Sequence, residues 1–370
     1  MKVFLWIFFG IHGSLHFLGF LKAFGLKDIN TLTFPISKTM GSLWLLGGVL
    51  ILTFSTLHFF AIKNSWTIGI LALIISQCLI FVFWEDAKWG SLPNIILLFT
   101  VAFAMGNSFF GSKIARERSE ILAATISDEV EVFSEEEIKN LPKPVKNWHL
   151  ASGAIGKPKA RNGKLNQVAQ MKMKPNQKDW FEAKALQYTV VDPPSFNWAV
   201  DLKMNPIMWI EGRDSFKAGK GEMLIKLNSL INIVNASGLR IDEGALQRFL
   251  GEMVWFPSLA ISPFVSWEEL DELSAKATME FQNTRGSGTF YFNEAGDFVK
   301  FIALRFQGDD PNAARKEWIM TVEEYAFFEG IKVPSKMKAT WNLEQGEWNW
   351  LKLEVKNLEY NQPFTSQIDN

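Results

Sequence analysis

The amino-acid sequence predicts two parts of different class: an α-helical membrane bundle of four spans, followed by an α+β domain. The second part is expected to be a strongly curved antiparallel sheet, a half-barrel, with one covering helix. Three observations carry this reading. From Val3 to Gly111 the chain is dominated by Leu, Ile, Phe, Gly and Trp, and almost all of its charge lies after Lys113. Beyond Gly163 the hydrophobic period changes from helical to two, and between Asp242 and Trp255 it turns helical again. The net charge of -1 and the near-neutral mean hydropathy therefore describe neither part.

Four stretches lack Asp, Glu, Lys and Arg: Val3 to Leu21, Met40 to Ile62, Ser65 to Trp84, and Asn94 to Gly111. Each is near the roughly 20 residues that a helix needs to cross about 30 Å of hydrocarbon. A core helix of a soluble protein would keep a polar stripe, and these do not. The first stretch is not a signal peptide, because no small-residue cleavage pattern follows Phe20 and three more stretches come after it. Four spans place the amino terminus and the carboxy-terminal domain on one side of the membrane. The flanking charge separates the two sides by one residue: Lys2, Lys63, Lys113, Arg116 and Arg118 against Lys22, Lys27, Lys38 and Lys88.

Three histidines, His12, His16 and His58, fall inside the spans. Polar groups at that depth are costly, so one reading is a haem, metal or quinone site of a redox protein. His12 and His16 share a helix face. His58 lies about four residues from its exit and His12 about nine from the same surface, an axial offset of roughly 8 Å. Hydrogen bonding between helices is the expected role, with no cofactor and no metal assigned.

Residues 1–112 are thus the four-span domain and 113–150 a helical connector, read as a stalk. In the connector, Ser134 and Glu137 have capping-box spacing, and Leu141-Pro-Lys-Pro144 ends the short helix they start. Residues 151–361 form the sheet domain and 362–370 a tail. Phe196, Trp198, Val200, Leu202 and Met204 alternate with polar neighbours as a half-buried strand, and Met337, Ala339, Trp341 and Leu343 do the same. Turn residues at Lys217 to Gly221, Asn293 to Asp297 and Glu344 to Gly346 join hairpins, and about ten strands account for the region. The inserted helix, 242–254, has Asp242 as its expected N-cap and Leu246, Phe249, Leu250 and Met253 on one face.

Several function classes drop out. There is no basic stripe for nucleic-acid phosphates. The single cysteine, Cys78, permits no disulfide within the chain and no thiolate zinc site. The sheet part holds no Gly-x-Ser-x-Gly elbow and no phosphate-binding loop, and its one histidine, His149, sits in the connector. Arg248 and Glu252 stand four apart on the helix. They are an ordinary ion pair if exposed, and candidates for an envelope-enzyme site if both are buried under Trp255. Asp242, Glu243, Glu268, Glu269 and Asp271 lack EF-hand spacing. Ten of the fifteen tryptophans lie in the soluble part, enough to line a site for an apolar ligand. Candidate lining residues are Trp198, Trp209, Leu246, Phe249, Leu250, Met253, Trp255 and Trp341, with Arg213, Arg248 and Glu252 as polar candidates.

The run Arg248-Phe-Leu-Gly-Glu-Met-Val-Trp-Phe-Pro257 resembles a bacterial domain family of unknown function. The likeness continues through Leu141 to Pro144, Gly212-Arg-Asp214, Trp267-Glu-Glu, Ala275 to Thr278, Gly288-Thr-Phe, Phe292 to Gly296, Gly330 to Pro334 and Trp341. Its members are commonly tethered by one amino-terminal helix, which implies an extracytoplasmic domain. The four spans loosely resemble small DoxX-type membrane proteins. The family's sheet-plus-helix organisation is similar to that of lipoprotein-carrier domains, which bind acyl chains in a half-open barrel. The resemblance thus implies a membrane-anchored binding or transfer module for a lipid or other hydrophobic ligand, with the bilayer as partner and no defined catalysis.

Overall fold

The structure is a computed structural model and describes residues 1–125, 131–308 and 313–363. The expected tail lies, beyond Pro363, outside the described residues. The chain divides into two compact units, Met1–Ser112 with Asn228–Leu230, and Lys113–Leu227 with Ile231 onward.

The first unit is helical: α1 Lys2–Ala23, α2 Lys38–Phe59, α3 Trp66–Val82, the single turn α4 Trp84–Ala87, and the first part of α5 Ser91–Ala123. Glycines let α1 and α2 approach each other. A Cβ added at Gly48 would lie 2.7 Å from the Gly13 carbonyl oxygen, and one at Gly19 would clash with the Trp44 ring. This is the close backbone approach that small residues allow between apolar helices. Among the described residues three stretches are long and apolar enough to cross a membrane: Lys2–Ala23, Lys38–Phe59 and Trp84–Ala123. The expected count of four is corrected to three, and the four-span basis of the DoxX likeness goes with it. Helix α3 has 17 residues and breaks at Phe83. At 1.5 Å per residue it rises only about 25 Å, short of the roughly 30 Å hydrocarbon layer.

The second unit is an α+β domain on one open antiparallel sheet of thirteen strands. The first six are β1 Asn162–Met171, β2 Phe181–Val190, β3 Ser195–Lys203, β4 Trp209–Lys217, β5 Lys220–Leu227 and β6 Ile231–Ser237. Helix α7, Leu239–Gly251, and the 3-10 turn Glu252–Trp255 then lead to the other seven. These are β7 Val265–Asp271, β8 Ser274–Phe281, β9 Thr284–Phe292, β10 Phe298–Phe306, β11 Arg315–Phe328, β12 Ile331–Leu343 and β13 Gly346–Tyr360. Each arm is a meander, and the two arms join where β1 pairs with β13, leaving β6 and β7 as the edges. Ten strands were expected. The extra ones include those edges, which bury only part of one face and so show little alternation.

Helix α7 packs on β4, β5 and β6 of one arm and on β8, β9 and β10 of the other. Strands β5 and β9 stand nine places apart in the sheet. In a flat sheet that is roughly 43 Å at about 4.8 Å per strand, against a helix about 10–12 Å wide. The sheet must therefore curl around the helix. The arms meet beyond it, where the Thr284 hydroxyl donates to the Gly219 carbonyl at 2.7 Å and the Phe216 and Phe281 rings are 6.3 Å apart.

The segment read as a stalk is corrected. Phe133, Ile138, Val145 and Trp148 are buried in the same apolar cluster as the sheet residues. The capping box forms, with the Ser134 amide donating to Glu137 at 2.9 Å, and the next helix is α6, Lys143–Ser152. That helix is a layer of the domain. Its His149, fully buried, has ring nitrogens 2.8 Å from the Val145 carbonyl and 3.1 Å from that of Pro257. Asp242 is not the N-cap of α7, which starts after Gly238. Its carboxylate instead accepts from the Gly221 amide at 2.8 Å and from Lys220 at 3.0 Å, pinning the helix to the β4–β5 turn.

The glycine contact in the first unit is testable. Gly48→Leu should force α1 and α2 apart and lower the thermal midpoint of the protein in detergent, whereas Gly10→Leu, which has open space around it, should not. Equal midpoints for the two variants, measured by aggregation on heating, would remove the close-approach argument.

Candidate functional site

Between α7 and the concave face of the sheet lies a cavity of about 480 Å³. One wall is a row of indoles set by strand register. Trp318 of β11 pairs with Trp341 of β12, which pairs with Trp348 of β13, so the three stand side by side across adjacent strands. Trp350 follows two residues on, and Met320, Met337 and Ala339 continue the apolar surface. Trp198, Trp255 and Phe306 complete the aromatic lining. The indole of Trp198 donates to Gln167 at 2.9 Å and that of Trp255 to the Pro334 carbonyl at 2.8 Å, so both rings are fixed.

The opposite wall is a face of α7 at helical spacing: Ile241, Gly244, Ala245 and Arg248, with Glu252 at the following turn. Arg248 is the centre of a buried polar cluster. Its Nε donates to Glu252 at 2.7 Å, one Nη to Asp214 at 2.6 Å, and the other to Gln187 at 3.2 Å. Glu252 also accepts from the Gln187 amide at 2.6 Å. The guanidinium lies 4.9 Å from the Phe196 ring centre and 4.8 Å from that of Trp198. Burial disfavours its charge, but Glu252 and Asp214 more than offset this, so its pKa is raised above the ordinary arginine value. The side chains are 14% and 7% exposed for Arg248 and Glu252, so this is no surface helix pair. A buried pair of this kind has good geometry or it is not tolerated.

A second arginine, Arg305 of β10, stands 4.2 Å from the Trp318 ring centre and 5.8 Å from that of Trp341. Its Nε is buried without a hydrogen-bond partner. Burial lowers its pKa to about 10, which leaves it charged near neutrality.

Of the expected lining residues, Trp198, Trp255 and Trp341 face the cavity, as do the polar candidates Arg248 and Glu252. Leu246, Phe249, Leu250 and Met253 do not; they are buried in the core on the other side of α7. Trp209 begins β4 outside the cavity. Arg213 points to the other face of its strand, 3.2 Å from Glu117 and 2.8 Å from Glu222. Trp348 and Trp350 belong to the tryptophan inventory of the soluble part but were not among the lining candidates, and Trp318 and Arg305 were missed by sequence reasoning. Trp318 and Met320 repeat the alternation seen in β12, which was the available signal; Arg305 sent none.

Two of the three histidines of the expected spans join helices of the first unit. His12 Nε2 lies 2.9 Å from Asn94 Oδ1. His16 is 3.0 Å from the His12 carbonyl and 2.9 Å from the Ser76 hydroxyl. The Asn94 amide donates to Ser76 at 3.0 Å, which links α1, α3 and α5. His58 stacks on Phe54 instead. Among the described residues no group of three or more His, Cys, Asp or Glu is placed to hold a metal ion.

The profile of a family of unknown function, DUF6544, matches residues 131–353. The chain belongs to that family. The DUF6544 match takes in every motif from Leu141 to Trp341 on which the resemblance rested, and it starts ahead of the buried Phe133. No curated protein matches. The crystal structure of a LolA superfamily protein from Nitrosomonas europaea is similar over 59% of this chain and 94% of that one, at 10% identity and a TM-score of 0.29.

Arg248→Met would leave Asp214 and Glu252 facing each other without their cation. The expected loss is about 3–5 kcal/mol of stability. Trp209→Ala, outside the cavity, should cost less, with both read from urea unfolding of the purified protein. A loss under about 1 kcal/mol for Arg248→Met would mean that the cluster does not hold the helix in place.

Proposed function

We propose that the DUF6544 domain of this chain binds a hydrophobic ligand, a lipid or another molecule with an acyl chain, in the cavity between α7 and the sheet. The chain is anchored in the cell membrane by its apolar helices, with the domain on the extracytoplasmic side. The observation that carries the reading is the indole-lined cavity itself. Sites for small ligands enclose roughly 300–1,000 Å³, are mostly apolar and place a few polar groups at fixed points. The tryptophan wall and the Arg248 cluster have that composition. Each methylene buried there would contribute about 0.8 kcal/mol, so a chain of ten carbons offsets much of the cost of immobilising it.

The test uses a neutral chain, so that no charged group decides the outcome. The protein in nanodiscs should retain radiolabelled hexadecanol above the level of empty nanodiscs, and retention should saturate. Trp341→Ala should weaken it by about tenfold, as expected from losing roughly 1.4 kcal/mol of aromatic contact, while Trp209→Ala leaves it unchanged. Absence of saturable retention in the folded protein sinks the reading.

Membrane placement has its own test. An alkaline phosphatase fused after Asn370 should be active in intact cells, and with three crossings a reporter ahead of Met1 should report the cytoplasm. An inactive carboxy-terminal phosphatase would place the domain inside. Two reporters on the same side would restore an even number of crossings.

A further inference from the structure

We infer that the cavity selects a single-chain amphiphile with an anionic, oxygen-bearing head, and that Arg305 is the residue that reads the head. This rests on the hydrophobic-ligand reading above and adds the chemistry of the polar end.

The inference comes from the sign of the polar groups left over. Four lining residues have a buried side-chain nitrogen without a hydrogen-bond partner: Arg305 at Nε, and Trp318, Trp348 and Trp350 at the indole N–H. All four are donors. Among the described residues of the lining, none has a buried acceptor in the same position. An unsatisfied buried donor costs free energy that an acceptor oxygen on a ligand would restore. The carboxylates near Arg305 are engaged elsewhere: Asp214 and Glu252 pair with Arg248, and Glu243 pairs with Arg315 at 2.8 Å. They act on Arg305 through space, and among the described residues none lies within ion-pair distance of it.

Charge points the same way. Among the described residues the lining holds Arg240, Arg248, Arg305 and Lys338, the last paired with Glu323, against Asp214 and Glu252. An alkyl ammonium would add to that excess, whereas a carboxylate or phosphate finds a guanidinium already held over two indole faces. A planar guanidinium suits either anion, since its N–H groups form a fork that matches two oxygens. The volume suits a drug-sized molecule, so the inference commits to one acyl chain.

The experiment compares ligands with the same chain and different heads on the full protein in zwitterionic nanodiscs. Palmitate and a palmitoyl lysophosphatidate are the anionic arms, hexadecanol the neutral one, and hexadecylamine the cationic one. At least one anionic arm should bind about tenfold or more tightly than hexadecanol, and hexadecylamine should bind most weakly. The tighter anionic arm identifies the head as carboxylate or phosphate. Arg305→Met should abolish the preference while leaving hexadecanol binding intact, which also shows that the variant is folded. Arg305→Lys should restore part of it, and Arg285→Met, on the exposed side of β9, should change nothing. Equal binding of anionic and neutral chains, or a preference that survives Arg305→Met, overturns the inference and leaves the hydrophobic site standing. Failure of every chain to bind removes the site itself.

Discussion

One short helix has to serve two distant parts of a single sheet, and most of the second unit follows from that demand. Helix α7 has 13 residues, so it is about 20 Å long. Strands β11, β12 and β13 have 14, 13 and 15 residues, which extend to roughly 45 Å. A helix of that length draws both arms of the sheet inward but cannot cover the strands it draws around it. Space is left beside it, and the sheet register fills the wall of that space with indoles. Cavity and curvature thus have one cause.

The faces of α7 divide the work. Leu246, Phe249, Leu250 and Met253 fill the interior on one side, where apolar burial supplies most of the helix's attachment. Arg248 and Glu252 occupy the other side, where the carboxylate of β4 and the amide of β2 meet them. Such a cluster adds little net stability over a well-packed apolar substitute, because each charge has lost its water. Its directional bonds instead set where the helix sits along and around its axis. That position in turn sets the shape of the cavity.

Period and composition made the two-part plan, the antiparallel sheet and the existence of α7 legible in the sequence, because those features leave a repeating mark on each residue. The cavity wall was half legible. Trp341 and Trp198 could be picked out from alternation alone, but alternation says only that a residue faces the sheet's interior. Leu246, Phe249, Leu250 and Met253 were chosen for the site on the same ground and belong to the core, since apolar periodicity cannot tell a filled interior from an open one. Arg305 was invisible, because its surroundings come from Trp318 and Trp341 on other strands and no local pattern records them. The buried role of Phe133 and Trp148 was missed for a related reason: a short segment between charged runs reads as a linker until the sheet it packs against is known.

The order of the strands bears on how the chain comes to be folded as it is made. β13, the last strand among the described residues, lies at the middle of the sheet, between β1 and β12. Gly163 and Tyr360 face each other across the seam. During synthesis the six-stranded amino-terminal arm emerges first with β1 as a bare edge, and β13 cannot cover it until the chain through Tyr360 has left the ribosome. Long-range pairing of this kind is slow and leaves unpaired backbone open to wrong partners in the interval. A nascent chain stalled before Gly346 would therefore present two naked inner strands, β1 and β12, to its surroundings. Such a chain has reason to be held by a chaperone, or destroyed, before its final strand arrives.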